Sequence, residues 1–181
     1  MAQKQKEEVK AIIGGNVLTI STGALAKLAG GSVVVQYGET IVLGAATMGK
    51  PMSPDADFLP LLVEYEEKFY AAGKIKGSRF MKREGRPHDD AILTARLIDR
   101  SIRPLFPKGM INDVQVVLTV LSYDGENDAD VPAMIAAFGA LMLSGIPWEG
   151  PLGAARIGMV GNSLVVNPTT AICPQFEAKR P

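Results

Sequence analysis

Several scarcities bound this 181-residue chain before any motif is read. It has one cysteine, Cys173, so no disulfide can close within it. That fits a reducing cytoplasmic compartment, with Cys173 a bystander thiol. It has no surplus of charge, since Lys+Arg and Asp+Glu are both 19. No overall basic field then draws in a polyanion, and any nucleic-acid binding must come from charge concentrated locally. It has no long apolar run: Val131 to Leu143 is the longest, roughly half of what a bilayer-spanning helix needs. Met1 to Lys10 is polar and charged, without the apolar core of a targeting signal, so no membrane partner is expected. Histidine is limited to His88, which reads as an exposed residue at the start of a helix. The pairs Gly14-Gly15 and Gly30-Gly31 are loop punctuation and match no phosphate-cradling or dinucleotide fingerprint.

What is present suffices for one domain with a sizeable core, at 47% hydrophobic residues. Strands are expected at Val17 to Ser21, Ser32 to Tyr37, Thr40 to Thr47, Phe58 to Glu64, Val114 to Leu121, Ala154 to Val160 and Ser163 to Asn167. Gly38-Glu39 and Gly161-Asn162 read as tight hairpin turns. Helices are few: a short one near Ala24 to Ala29, one ended by Pro104 and Pro107, and an apolar one from Asp130 to Ser144-Gly145. The last is apolar all round and so is expected to be buried on every side. Strand pairs with segregated helices predict an α+β fold, not a doubly wound parallel sheet.

The richest segment is Phe80-Met81-Lys82-Arg83-Glu84-Gly85-Arg86-Pro87, followed by a helix from Asp90 that carries arginines. At about 100° per residue, Ala91, Ala95, Ile98 and Ile102 share one face, while Arg96, Arg100 and Arg103 lie within roughly 60° of one another on another. An aromatic face stacks bases and guanidiniums take phosphates bidentately, which is the chemistry of gripping a single nucleic-acid strand. The candidate binding residues are therefore Phe80, Met81, Lys82, Arg83, Arg86, Arg96, Arg100 and Arg103. The competing reading is a solvated helix face with Asp99 and Glu84 as ion-pair partners. Other residues leave two readings open. Tyr65, Phe69 and Tyr70, near Lys68, either stack on RNA or pack in a core or subunit contact. Arg156 either reaches a phosphate or closes an ion pair at a strand edge.

The stretch Asp124-Gly125-Glu126-Asn127-Asp128-Ala129-Asp130 gathers carboxylates, yet it lacks the glutamate that closes a twelve-residue calcium loop. It reads as a polar turn with Asp130 capping the following helix, not as a metal site.

In order along the chain stand Gln36-Tyr37-Gly38-Glu39-Thr40, Asp57-Phe58-Leu59-Pro60-Leu61, Ala71-Ala72-Gly73-Lys74-Ile75, Glu84-Gly85-Arg86-Pro87, Arg96-Leu97-Ile98-Asp99-Arg100 and Gly150-Pro151-Leu152-Gly153-Ala154-Ala155-Arg156. Over residues 8 to 170 the chain resembles the first core domain of the bacterial polynucleotide phosphorylase family, phosphorolytic 3′-to-5′ exoribonucleases. The resemblance implies a ribonuclease PH-like domain with mixed sheets and a buried central helix, of the β-α-β-β type shared with a ribosomal protein. It implies a homotrimer whose central channel is constricted by the loop matching Phe80 to Arg83, and a place in an RNA-degrading assembly. It also implies that inorganic phosphate and Mg2+ are bound by the second core domain, so no catalytic residue and no metal ligand is assigned here. In ribonuclease PH a Thr-Arg pair holds the attacking phosphate just before the buried helix, where this chain has carboxylates that repel an anion.

Two departures bear on that expectation. Met81 stands where the family usually has a second aromatic, leaving base stacking to Phe80, and Arg79 adds a charge in a loop one residue longer. Residues 171–181 also leave the family pattern, so the chain is expected to be an incomplete domain, 1–170, with a divergent tail.

Overall fold

The computed structural model describes residues 6–51, 58–75, 85–160 and 162–172. Six strands form one mixed sheet: β1 (Glu7–Ile13), β2 (Asn16–Thr22), β3 (Gly31–Tyr37), β4 (Thr40–Pro51), β5 (Leu61–Glu67) and β6 (Asn112–Ser122). Their order is β1-β2-β3-β4-β6-β5, antiparallel throughout except that β5 runs parallel to β6 at the edge. The remaining strands, β7 (Ile157–Val160) and β8 (Ser163–Val166), make a separate antiparallel ribbon. Helix α1 (Asp89–Ile102) lies against β5, and α2 (Asp130–Ser144) lies across β3 and β4. The architecture is the expected α+β one.

The core forms where alternating strand residues meet these helices. Val33, Val35, Val42, Val114, Val116 and Leu118 are fully buried in one cluster with Ala133, Ala136, Ala137 and Ala140 of α2. Small residues let the helix come very close. A Cβ built on Gly31 would lie 2.2 Å from the Ala140 carbonyl oxygen, and one on Gly44 would lie 2.7 Å from that of Ala136. The same helix ends at Gly145 with φ of 71°, the left-handed geometry that favours glycine.

Four expectations need correction. Residues 24–29 form turns instead of a helix, because Gly23 (φ 85°) and Ala26 (φ 48°) interrupt any α geometry. β1 was not expected from its charged composition; it pairs with β2 through a turn at Gly14-Gly15, and Glu8 takes Lys6 and Lys10 as ion-pair partners. β5 begins three residues later than Phe58, and β7 three later than Ala154. Finally, α2 is not enclosed on every side. Its sheet-facing positions are buried, while Met142 and Leu143 at its end are half exposed.

The carboxylate turn is held by Asp124. Its Oδ1 accepts from the backbone N–H groups of Glu126 (2.8 Å) and Asn127 (2.7 Å), and Oδ2 accepts from Glu39 N–H (3.1 Å) and the Asn127 amide (2.8 Å). The turn thereby grips the β3–β4 hairpin, and buried Thr40 completes the grip by donating to the Asn127 carbonyl at 2.9 Å. Asp130 sits one residue inside the helix, with Ala129 at the capping position, and Asp130 Oδ1 accepts from Val131 N–H. Partial burial of Asp124 raises its pKa, but the bonds from Asn127, Glu126 and Glu39 outweigh it and hold the group at about 2. A depressed carboxyl pKa stabilises the fold fully above its unfolded value of about 4 and loses that contribution as pH falls toward 2. Asp124→Asn is therefore expected to lower stability at pH 7 by about 1 kcal/mol after allowance for solvent screening. In urea denaturation the deficit should shrink between pH 4 and pH 2, and a deficit independent of pH would contradict the assignment.

Candidate nucleic-acid interface

Helix α1 positions the arginines. Pro87 precedes it, Asp89 and Asp90 in its first turn suit the helix dipole, and the segment Arg103–Leu105 closes it as a short 3-10 turn. Ala91, Ile98 and Ile102 are buried as the wheel requires, which turns Arg96 and Arg100 outward. Both are exposed, as is Arg86 before the helix, and among the described residues none of the three has an ion-pair partner. Arg96 and Arg100 are four residues apart, hence about 6 Å along the axis and on one face. They line a wide groove between α1 and β5 together with Leu62, Val63 and Glu64. Leu93 and Leu97 add exposed apolar surface on the same helix.

Arg103 is placed differently from its two neighbours. Its guanidinium is engaged by Asp99 and by carbonyls of the chain leading into β5, so it is not a free cation of the stripe. The pairing with Asp99 matches the ion-pair reading of this helix face, and the backbone partners have no sequence signal. Phe80, Met81, Lys82 and Arg83 lie outside the described residues. His88 is exposed at the capping position of α1, where its carbonyl accepts from Ile92 N–H.

The residues with two readings are placed as follows. Tyr65 belongs to the core: it is 4% exposed and its hydroxyl donates to Glu67 Oε1 at 2.9 Å. Burial first, and the Glu67 carboxylate next, push its phenol pKa upward. Phe69 is half-buried, whereas Tyr70 is exposed; Lys68 pairs with Glu66. Arg156 takes the ion-pair reading. Its guanidinium bridges Asp128 and Asp130, while its backbone exchanges hydrogen bonds with Asn167. Burial lowers the Arg156 pKa, but Asp130 and Asp128 more than offset it.

The small cleft beside this pair is lined by Tyr37, Asn127, Asn167 and Pro168. Two carboxylates around one guanidinium leave a negative excess, which disfavours a phosphate there. The described residues also do not fit a magnesium ion. No group of three acidic, histidine or cysteine side chains comes together among them, and Asp128 and Asp130 are spent on Arg156. No helix among them is long and apolar enough to cross a membrane.

Comparison with known proteins agrees with this fold. The family model for the 3′ exoribonuclease family, domain 1, matches residues 16–147. The chain is 58% identical over 157 residues to the polyribonucleotide nucleotidyltransferase of Heliobacterium modesticaldum, covering 87% of this chain and 22% of that protein. It is 53% identical over 165 residues to that of Thermus thermophilus, covering 91% and 23%. The chain thus spans less than a quarter of the length of these curated relatives. Among solved structures it is similar to rice (Oryza sativa) Rrp46, with a TM-score of 0.63 at 17% identity over 96% of this chain and 72% of that one. It is also similar to an Archaeoglobus fulgidus exosome chain, from a structure with RNA bound to the active site. There the TM-score is 0.58 at 22% identity, over 91% and 66%. At these identities the structural likeness shows the fold.

Removing one side of the Arg156 bridge should expose its cost. Arg156→Gln leaves two half-buried carboxylates facing each other and is expected to destabilise by about 2 kcal/mol. Adding Asp128→Asn should recover part of that loss. Chemical denaturation of the two variants is the check, and additive losses would mean that the groups are not coupled.

Proposed function

The chain belongs to the 3′ exoribonuclease family, as its domain 1, and from that premise we propose that it guides and grips single-stranded RNA without carrying out the cleavage itself. The observation that supports the reading best is the pair Arg96 and Arg100. They are exposed, free of ion-pair partners among the described residues, and set on one face of a rigid helix. Guanidiniums at that spacing hold backbone phosphates regardless of sequence, which suits a processive degrader of RNA. Phe80 would stack on a base and Lys82, Arg83 and Arg86 would add phosphate contacts at the constriction.

The complete enzyme in which such a domain serves degrades RNA from its 3′ end by phosphorolysis. An oxygen of inorganic phosphate attacks the terminal phosphodiester phosphorus. The new P–O bond forms as the bond to the preceding 3′ oxygen breaks, leaving a shortened strand and a nucleoside diphosphate. Magnesium supplies charge stabilisation to such a displacement. This chain's own part is to orient the strand, so that its 3′ end arrives at a site built by other residues. A cytoplasmic homotrimer, with a place in a larger RNA-degrading assembly, completes the proposal.

A second reading, in which the chain is chiefly an assembly piece, draws on one observation. Ile157, Met159 and Leu164 on the β7–β8 ribbon are all more than half exposed, a surface that gains by being covered.

Two substitutions test the gripping role. Phe80→Ala and Arg83→Ala are each expected to weaken oligo(A) binding by roughly tenfold, about 1.4 kcal/mol. Arg83→Ala should also flatten the plot of log affinity against log salt by about 0.7, the loss of one single-strand phosphate contact. Unchanged affinity and slope in both variants, read by fluorescence anisotropy, would refute the role.

A further inference from the structure

Arg103 occupies the junction where α1 gives way to the 3-10 turn. Within the helix its Nε donates to Asp99 Oδ2 at 3.0 Å and its Nη2 to Asp99 Oδ1 at 2.7 Å, a fork-to-fork pair. Across the groove the same guanidinium reaches the start of β5. Nη1 donates to the Leu59 carbonyl and Nη2 to the Leu61 carbonyl, each at 3.2 Å. The Leu59 carbonyl also accepts from Leu61 N–H at 3.0 Å, a tight turn about Pro60 just before β5. Pro60, between them, turns its own carbonyl to Val114 N–H on β6. Leu59 and Leu61 give their oxygens to Arg103 beside the free edge of the sheet.

Four of the five guanidinium N–H donors are thus in use, and Asp99 cancels the charge. What remains cannot grasp a phosphate bidentately. The arrangement does something else: it fastens the end of α1 to the edge strand on the opposite wall of the groove that Arg96 and Arg100 line.

We propose that Arg103 is a positioning residue, which sets the distance between the Arg96–Arg100 face and β5 through its clamp on Asp99, Leu59 and Leu61, and does not itself hold RNA phosphates. The proposal rests on the single-strand RNA reading given above, and it reassigns one member of the arginine stripe. Lysine cannot replace the clamp, because a single ammonium has no fork with which to span a carboxylate and two carbonyls at once.

The test is anisotropy titration of a labelled oligo(A) strand across a series of KCl concentrations, with the unmodified chain, Arg96→Gln, Arg103→Gln, Arg103→Lys and Asp99→Ala. Arg96→Gln should weaken binding and flatten the salt slope by about 0.7. Arg103→Gln should weaken binding roughly fivefold with the slope of the unmodified chain, and Arg103→Lys should do the same despite keeping its charge. Asp99→Ala should also weaken binding, because it breaks the clamp from the other side. Trp148, whose indole N–H donates to the Ile102 carbonyl at 3.1 Å, reports by its fluorescence that this end of α1 is folded in each variant.

A slope loss in Arg103→Gln equal to that of Arg96→Gln would overturn the proposal. So would full binding by Arg103→Lys, or tighter binding by Asp99→Ala as a guanidinium is released. If the unmodified chain binds no RNA, the reading beneath the proposal fails, and this shows before any substitution is compared. Should Arg103→Gln lose the Trp148 signature, Arg103→Lys and Asp99→Ala carry the comparison.

Discussion

The backbone of α2 lies so close to the sheet that a methyl group cannot be placed between them at Gly31 or at Gly44. That contact governs the rest of the structure. It buries the alanines of α2 in one core with Val33, Val35 and Val42. Because α2 is seated there, the turn before it can reach the β3–β4 hairpin through Asp124 and Thr40. The residues after α2 then bring Trp148 against the end of α1, stacked on Phe138 and bonded to the Ile102 carbonyl. The orientation of the arginine helix is in this way a consequence of small residues where α2 meets the sheet.

Charge is used sparingly and locally. With equal numbers of basic and acidic residues, a binding surface has to be made by leaving particular cations unpaired and pairing the rest. Among the described residues several cations are paired, while others, Lys27, Lys50, Lys74 and Lys108 included, are not. Arg103 and Arg156 are consumed by Asp99 and by Asp128 with Asp130, and Lys6, Lys10 and Lys68 by neighbouring glutamates. Arg86, Arg96 and Arg100 are not so consumed, and they cluster at one end and one face of α1. Asp124, Asp128 and Asp130 near the start of α2 likewise have internal partners.

Much of this was legible in the sequence where the signal was local. The bounds of both long helices, the Gly38-Glu39 turn and the outward face of Arg96 and Arg100 follow from caps, turn chemistry and the helical period. The misreadings arise where distant residues decide. Residues 24–29 have helical composition, but two positive φ angles hold them as turns. β1 is charged enough to pass for a tail, and it becomes a strand by pairing with β2. The wheel puts Arg103 beside Arg96 and Arg100 and is right about its direction. It is silent about the carbonyls of Leu59 and Leu61, because backbone acceptors more than forty residues away leave no mark in a local pattern.

We propose a division of labour, with strand-holding in this chain and phosphorolysis in residues outside it. The most direct test offers the purified chain poly(A), magnesium and inorganic phosphate, and measures RNA binding and nucleoside diphosphate release in the same samples. Salt-sensitive binding without diphosphate release is the expected result. Phosphate-dependent release would contradict it, because the active site would then assemble from residues assigned here to structure and guidance.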